Sequence, residues 1–376
     1  MRFRWTWKIG RIAGVEIGIH PSWLVIYALL AFGATSLART ISPELNSTSS
    51  ALLGLIGSLI LFASLVAHEF AHALVARRLG IPIGGITLFL FGGVATILRE
   101  AASPEDEIRM AAAGPALSLV LALVFGALAA LTAQFHSAWI YTLCLYLAIA
   151  NGMLALFNLL PAFPSDGGRI LRAALWKWKR SQARATGIAS RVSLVMAIGL
   201  ACAGIYFVIA LHENRGLWWV AVATFLAQAA VTSGQRAGID LALEEMRVRD
   251  CMLATLIAVP ASTTVARFIG EIAGVRGAAY PVLREGRLVG LADVRHTAGL
   301  PLRLWEQTSV DRVMTPIERA AGVSPDASAR TALASLHDQS LNELPVYEHG
   351  ELCGIVSHES IFRTLHDRRR SRAARA

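Results

Sequence analysis

The stretch Leu65-Val-Ala-His68-Glu69-Phe-Ala-His72-Ala-Leu74 decides the fold, because it places three ionisable side chains inside an apolar run. His68 and His72 are four residues apart, so on a helix both imidazoles project from one face and can share a metal ion. Glu69 can then act on water as a general base. Such residues are costly at membrane depth unless they are paired, metal-bound or facing a cavity. The pattern predicts a zinc site within a membrane helix; the alternative is three polar residues satisfied by neighbouring helices.

The composition excludes a wholly soluble protein. Of the 376 residues, 55% are apolar and only 16% are charged, where a soluble average is about 25%. A bilayer crossing needs about 20 mostly apolar residues. Because the last run is short, six crossings are predicted and five remain the alternative. The runs cover residues 19–38, 51–76, 109–133, 138–160, 190–211 and 217–232.

The charge distribution predicts the topology. Lys and Arg number 35 against 26 Asp and Glu, and the basic residues concentrate after the second run and between the fourth and fifth. Basic loops face the cytosol, so we expect a multi-pass protein of the cell membrane with both termini in the cytoplasm. The same excess is not a basic stripe on a polar fold, so no nucleic-acid partner is expected.

A third metal ligand is predicted after the fourth run. Two imidazoles leave a catalytic zinc one protein ligand short. Pro161 and Pro164 interrupt the run just before Asp166, and an irregular segment at membrane depth is tolerated only where it lines a cavity or is buried in protein. Asp166 is therefore the predicted third ligand. The alternative is that Asp166 merely caps a cytoplasmic helix that begins at Gly167.

These motifs, with Gly114-Pro115 in the third run and Asn158-xx-Pro161 before Asp166-Gly167, resemble the site-2 protease family of intramembrane zinc metalloproteases. The resemblance covers residues 1 to about 235. It implies one Zn²⁺ per chain bound by His68, His72 and Asp166, with Glu69 as the catalytic base and Asn158 contacting substrate or steadying the site. One departure is Ser165, where a large apolar residue commonly precedes Asp-Gly; the ligand itself is intact.

The segment 81–97 is too short and glycine-rich for a further crossing. It is predicted to form a re-entrant β-hairpin of two apolar strands around Gly92-Gly93. An exposed strand edge near a protease site could hold an unwound substrate segment, which makes Gly92 and Gly93 candidate substrate-binding residues. A hairpin that only plugs the bundle is an equal alternative.

An internal repeat follows a change to soluble composition near Gln235. Val248-Arg-Asp-Cys-Met252 recurs as Val310-Asp-Arg-Val-Met314, and two further motifs recur 64 residues apart. The repeat resembles a pair of cystathionine-β-synthase (CBS) domains, as in the bacterial branch of the same family. Such pairs bind adenine nucleotides through a ribose Asp. Neither copy has it: the corresponding positions are Asp293 and His296, then Ser357 and Ser360. Nucleotide binding is therefore expected to be weak, and a structural or homodimerising pair is an equal alternative.

The predicted fold class is a polytopic α-helical membrane protein of about six transmembrane helices with a re-entrant β-hairpin, followed by a cytosolic α/β CBS pair. The predicted domains are 1–235 (membrane protease), 246–305 and 306–365 (the repeats) and 366–376 (a basic tail that is solvated or faces lipid headgroups), with a short linker at about 235–245. The predicted function is zinc-dependent hydrolysis of a peptide bond in or near a substrate's transmembrane segment. The family suggests a single-span substrate such as an anti-sigma factor. A CBS-regulated transporter or channel, and an inactive scaffold, are the alternatives.

Overall fold

Two units make up the chain in the computed structural model, Met1–Ala237 and Gly238–Ala376. The structure describes residues 6–12, 14–89, 92–97, 99–135, 137–254, 256–273, 280–297 and 299–373. The elements that begin in the first unit are β1 (Trp7–Ile12), β2 (Val15–Ile19), α1 (Trp23–Ile41), α2 (Ser47–Arg78), β3 (Ile83–Phe89), β4 (Gly92–Ile97), α3 (Pro104–Thr132), α4 (Ala138–Asn158), α5 (Asp166–Lys179), α6 (Gln182–Ile209) and α7 (Arg215–Glu245).

Six helices, α1 to α4, α6 and α7, are long and apolar enough to cross a membrane. The prediction of six spans, rather than five, is thereby confirmed. One boundary was wrong. Ile19, the predicted start of the first run, is the last residue of β2, and the helix begins at Trp23. The predicted linker 235–245 is helical, because α7 continues to Glu245.

Helix α2 lies against α1, α3 and α4, which makes it the central element of the membrane unit. Its first turn is capped by Asn46, whose side chain accepts a hydrogen bond of 2.8 Å from the Ser49 amide. Small residues on the buried face allow close packing. A Cβ at Gly54 would lie 2.4 Å from the Ala31 carbonyl oxygen of α1. This close approach brings the His68 and His72 face of α2 into the interior of the bundle.

A four-stranded sheet in the order β1-β2-β3-β4 packs beside α2. Strand β2 pairs in parallel with β3, and the other two pairings are antiparallel. The predicted hairpin over 81–97 is present as β3 and β4. However, Gly92 and Gly93 begin the second strand instead of forming the turn, and residues 90 and 91 lie outside the described part of the chain. Its re-entry into the membrane stays a prediction.

The second unit contains the repeat. Its elements are α8 (Val248–Cys251), β5 (Val259–Pro260), α9 (Val265–Arg267), β6 (Tyr280–Arg284), β7 (Arg287–Ala292), β8 (Thr315–Pro316), α10 (Ala329–Asp338), β9 (Glu343–Glu348), β10 (Glu351–Ser357) and α11 (His358–Ala373), with short 3₁₀ and π turns between them. Each copy has a pair of antiparallel strands, β6 with β7 and β9 with β10.

The two copies interlock, because each hairpin pairs with a segment of the other copy. Strand β8, which follows Met314, pairs with β7 of the first copy. Leu253, which follows Met252, pairs with Ile355 in the second. Glycines allow this approach: a Cβ at Gly290 would lie 2.5 Å from the Met314 sulfur, and one at Gly354 would lie 2.8 Å from the Met252 sulfur. The recurring Met and Gly are therefore contact residues between the copies.

Two buried carboxyl groups face a single guanidinium between the copies. Asp293 and Glu343 are 1% and 4% exposed, and Arg295 contacts both. The Arg295 Nε donates to Asp293 Oδ2 over 2.7 Å, and its backbone amide donates to Oδ1. Burial and the adjoining Asp293 carboxylate raise the pKa of Glu343 to about 9. Glu343 therefore holds a proton at neutral pH.

Replacing Glu343 by Gln should make the stability of this unit less dependent on pH. An unfolded Glu titrates near 4.5, so between that value and about 9 the folded unit binds the extra proton. The stability that Glu343 contributes is complete below pH 4.5, the pKa of the unfolded group, and declines as the pH rises towards about 9, the pKa of the folded group. The substituted amide cannot lose a proton, so the free energy of unfolding of Glu343→Gln should fall less between pH 6 and pH 9 than that of wild type.

Urea unfolding of residues 238–376, followed by circular dichroism at several pH values, measures this difference. The exposed Glu348 at the other end of β9 provides the matched control, since Glu348→Gln should leave the pH dependence of wild type. If the free energy of unfolding changed equally with pH in wild type and Glu343→Gln, Glu343 would not hold the extra proton in the folded unit.

Candidate metal centre

Two imidazoles and one carboxylate converge at the buried face of α2. The His68 and His72 Nε2 atoms are 3.3 Å apart, and Asp166 Oδ2 lies 3.3 Å from the first and 3.0 Å from the second. All three residues are buried, and their ligand atoms form the one group of this kind in the described part of the chain. The structure therefore brings together the three residues that the sequence predicts as ligands.

The donor set fits zinc. Bonds of about 2.0 to 2.1 Å at tetrahedral angles separate two ligand atoms by about 3.3 Å, close to the three distances here. Two imidazoles and one carboxylate leave a fourth position for water or substrate, as in catalytic rather than structural zinc sites. Buried charged or polar groups in proteins are paired or coordinate metals, and the three converging ligand atoms fit the second case.

Helix α3 orients both imidazoles through their second nitrogen. The His72 Nδ1 donates to the Met110 carbonyl oxygen over 2.7 Å. A carbonyl only accepts, so the proton of a neutral His72 sits on Nδ1 and the Nε2 lone pair is available for a metal. The His68 Nδ1 lies 2.8 Å from the Ser118 hydroxyl. Sequence reasoning missed Ser118 and Met110, because nothing in the local pattern links residues on α3 to imidazoles on α2.

Asp166 is the first residue of α5, and Ser165 rather than Asp166 caps this helix. The Ser165 hydroxyl donates to the Leu160 and Ala162 carbonyls and accepts from the Gly168 amide. The capping alternative expected Asp166 to precede a helix that begins at Gly167, but Asp166 is itself the first helical residue and its side chain reaches the imidazoles. The departure from the family pattern at Ser165 serves the backbone turn that brings Asp166 there.

The two glycines after Asp166 are required for close packing and have an ordinary helical backbone. Both Gly167 and Gly168 are helical. A Cβ at Gly167 would lie 2.2 Å from the Leu159 carbonyl oxygen, and one at Gly168 would lie 2.7 Å from the backbone of Ala162. The start of α5 therefore lies directly on the backbone that follows α4, which fixes the position of Asp166.

The chain matches known families over most of its length. The model for Peptidase family M50 matches residues 56–137 and 129–200. A Mycobacterium tuberculosis protein named "Putative zinc metalloprotease Rip3" is 35% identical over 366 residues, covering 95% of this chain and 92% of that protein. The chain belongs to peptidase family M50. This confirms the family that the motifs indicated.

Two further similarities accompany the M50 match. The Synechocystis protein "Putative zinc metalloprotease sll0528" is 32% identical over 370 residues, which cover 95% of both chains. The solved site-2 protease from Methanocaldococcus jannaschii is 29% identical and covers 61% of this chain and 95% of that one, with a TM-score of 0.42. The CBS domain model matches residues 310–367, which include most of the second copy of the repeat.

The remaining predicted residues of this M50 chain lie on α2, β4 and α4. Glu69, on α2 beside His68, is half-buried. Its side chain lies against the β4 backbone, since a Cβ at Gly93 would be 2.5 Å from Glu69 Cγ. Gly92 precedes Gly93 in β4. Asn158 is the last residue of α4, and its side-chain amide donates to the Leu154 carbonyl of its own helix over 2.9 Å.

Charged residues of α3 and α5 near the site were not predicted from the sequence. Glu107 of α3 is 1% exposed and contacts Arg169 and Arg172 of α5. The predicted third run began only at residue 109, because three acidic residues in succession look like an ordinary first helical turn. Two of them, Glu105 and Asp106, are partly exposed, and the third is buried beside the metal ligands.

Replacing Gly114 by Ala should remove zinc from the protein. Gly114 of α3 faces the ligands: a Cβ there would lie 2.2 Å from His72 Nε2 and 2.5 Å from His68 Nε2. The added methyl group must displace both imidazoles. We expect the variant to lose most of its zinc, measured by atomic absorption on purified protein, with a loss of stability of about 1 to 3 kcal/mol from overpacking.

Gly126→Ala is the matched control on the same helix. Its Cβ would meet only Ala148 at 3.9 Å, so zinc should be retained. Stability should rise by about 0.5 to 1 kcal/mol, the ordinary preference of a helix for Ala. Full zinc content in Gly114→Ala would show that the metal does not sit between these imidazoles.

Proposed function

We propose that this protein is an intramembrane zinc metalloprotease, which hydrolyses a peptide bond in or near the transmembrane segment of a membrane protein. The observation that carries the proposal is the convergence of His68, His72 and Asp166 within 3.3 Å in a unit of six membrane helices. Membership of family M50 supports the same chemistry. We propose one zinc ion per chain, because three ligands form one site.

Bound zinc would polarise a substrate carbonyl and lower the pKa of water at the site. Glu69 is the general base in this proposal: its carboxylate takes a proton from the attacking water and returns it to the leaving amine. The Met110 and Ser118 contacts hold the imidazoles in one tautomer and orientation. Asp166 supplies the third donor and a negative charge.

The edge of β4 is the proposed docking position for substrate. In the described residues β4 pairs with β3 alone, and Gly93 contacts the proposed base. A peptide bond must leave its helix to be cleaved, and an extended segment can add to a free strand edge. The backbone of Gly92 and Gly93 would pair with it beside Glu69. Asn158 is proposed to steady the end of α4 or contact the same segment.

The proposed substrate is a single-span membrane protein, such as an anti-sigma factor or a similar regulator, in contact with membrane lipid. We propose that the protein lies in the cell membrane with both termini in the cytoplasm, because loops rich in Lys and Arg favour the cytoplasmic side. The transporter and channel alternatives lack comparable support, since relatives along most of the chain carry metalloprotease names. The inactive-scaffold alternative is disfavoured because the base and all three ligands are present.

Adenine nucleotides are proposed to bind the repeat weakly. Ser357 and Ser360 are buried and cap α11 reciprocally, each backbone amide donating to the other's hydroxyl over 3.1 Å. Asp293 is engaged by Arg295. These side chains are thus committed to contacts within the protein. We also propose that the repeat can mediate homodimerisation.

Glu69→Gln should stop proteolysis while zinc remains bound. The substitution removes the base and keeps all three ligands, so cleavage should slow by at least about 10²-fold. Cleavage of a single-span reporter co-reconstituted in liposomes and zinc content on the same preparation are the two measurements. Loss of zinc from this variant would instead make Glu69 a ligand or a residue that holds one.

Asp166→Ala should lose both metal and activity, because two imidazoles alone bind zinc weakly. Asp166→Asn keeps the shape of the side chain but not its charge, and is expected to lose most of the metal as well. Zinc content, with circular dichroism to verify folding, provides the comparison. Full zinc occupancy in Asp166→Ala would remove this residue from the ligand set.

A further inference from the structure

One face of α3 contacts two of the three metal ligands directly and the third through an arginine of α5. Met110 and Ser118 bond the two imidazoles directly. Glu107 lies three residues before Met110 and eleven before Ser118, so helical spacing places it on the same stripe. It is 1% exposed. The third ligand, Asp166, has no direct contact of this kind with α3 among the described residues, but Glu107 reaches it through a basic residue of α5.

Arg169 lies between the two carboxylates. Its Nε is 3.9 Å from Glu107 Oε1, and its Nη1 is 3.9 Å from Asp166 Oδ1. Asp166 therefore directs its two oxygens to different groups, Oδ2 to the imidazoles and Oδ1 to the guanidinium. Arg172, one turn further along α5, forms a close ion pair with the same Glu107 oxygen. Glu107 thus anchors both guanidinium groups at the start of α5.

We infer that Glu107 and Arg169 are positioning residues for the metal ligand Asp166. Glu107 holds Arg169 where it faces Oδ1, so that Oδ2 and its charge stay directed at the two imidazoles. The inference rests on the proposed metal site but goes beyond it, because neither residue is a ligand or a base. Partners of this kind commonly change metal affinity by about 10- to 100-fold when they are removed.

The charges explain why Glu107 is required. Two carboxylates and two guanidinium groups balance in a largely buried cluster. Without the Glu107 charge, Arg169 and Arg172 repel each other, and the nearest remaining anion is Asp166. Arg169 is then free to close on Asp166, where it competes with the metal for the carboxylate. Removal of Arg172 leaves Arg169 paired with Glu107 and should matter less.

The test uses the full-length chain in detergent, stripped of metal and titrated with Co²⁺. Affinity is measured by competition with a chromophoric chelator, and the visible absorption of the bound Co²⁺ reports ligand number and geometry. Glu107→Gln and Arg169→Gln should each weaken binding by about 10- to 100-fold and alter the spectrum. Glu107→Asp, which keeps the charge, should recover part of the affinity, and Arg172→Gln should have the smaller effect.

Glu105→Gln is the matched control. Glu105 also joins α3 to α5, through an exposed ion pair of 2.9 Å with Lys177, so it tests whether linking the helices is sufficient. Its Co²⁺ affinity and spectrum should equal those of wild type. If Glu107→Gln fails to fold, Arg169→Gln decides the matter, since Arg169 is partly exposed and its loss buries no unpaired charge of its own.

Three results would overturn the inference. Wild-type affinity and spectrum in both Glu107→Gln and Arg169→Gln, while Asp166→Ala loses the metal, would refute it and leave the proposed protease site intact. An effect of Arg172→Gln as large as that of Arg169→Gln would show that Glu107 only clamps the helices. Failure of the unmodified chain to bind Co²⁺ would refute the proposed metal site, and this inference with it.

Discussion

The fold depends on holding two imidazoles and a carboxylate together inside an apolar bundle. At 3.0 to 3.3 Å, the three ligand atoms are closer than uncoordinated side chains need to be, and each must be kept from turning away. Helix α2 supplies both imidazoles from one face, and α5 supplies the carboxylate from its first residue. The element between them in the chain, α3, packs against both and supplies their supporting contacts.

Glycine backbone surrounds the site where side chains would obstruct it. Gly114 leaves the space in front of the imidazoles, Gly93 brings β4 against Glu69, and Gly167 lets α5 start on the backbone after α4. None of these three has the left-handed backbone that glycine alone adopts readily. These positions require glycine because a Cβ there would clash with neighbouring atoms. The same holds in the repeat, where Gly290 and Gly354 admit a methionine from the other copy.

The sequence predicts most of the membrane unit because its signals are local. Apolar runs locate the spans, and the spacing of His68 and His72 places two ligands on one helical face. Asp166 was predicted as the third ligand because a catalytic zinc needs one more protein ligand and because prolines interrupt the fourth apolar run just before it. Contacts between distant elements leave no such signal: Ser118 lies 50 residues from His68, and the parallel pairing of β2 with β3 joins a strand before the first helix to a strand after the second. Glu107 was missed because its local context is that of an exposed first turn.

Both units bury a pair of acidic side chains, but the number of neighbouring arginines differs between the two pairs. Around the metal site Glu107 and Asp166 face two guanidinium groups, so each carboxylate charge has a cationic neighbour. A carboxylate that binds metal must be deprotonated, because a protonated carboxyl group is a poor donor. In the repeat, Asp293 and Glu343 share one guanidinium, so the less favoured carboxyl keeps a proton. A neutral Glu343 can hydrogen-bond to Asp293 without adding a second uncompensated charge. In the repeat, one arginine lies beside two buried carboxyl groups, and the protonated Glu343 is a hydrogen-bond donor between the two copies.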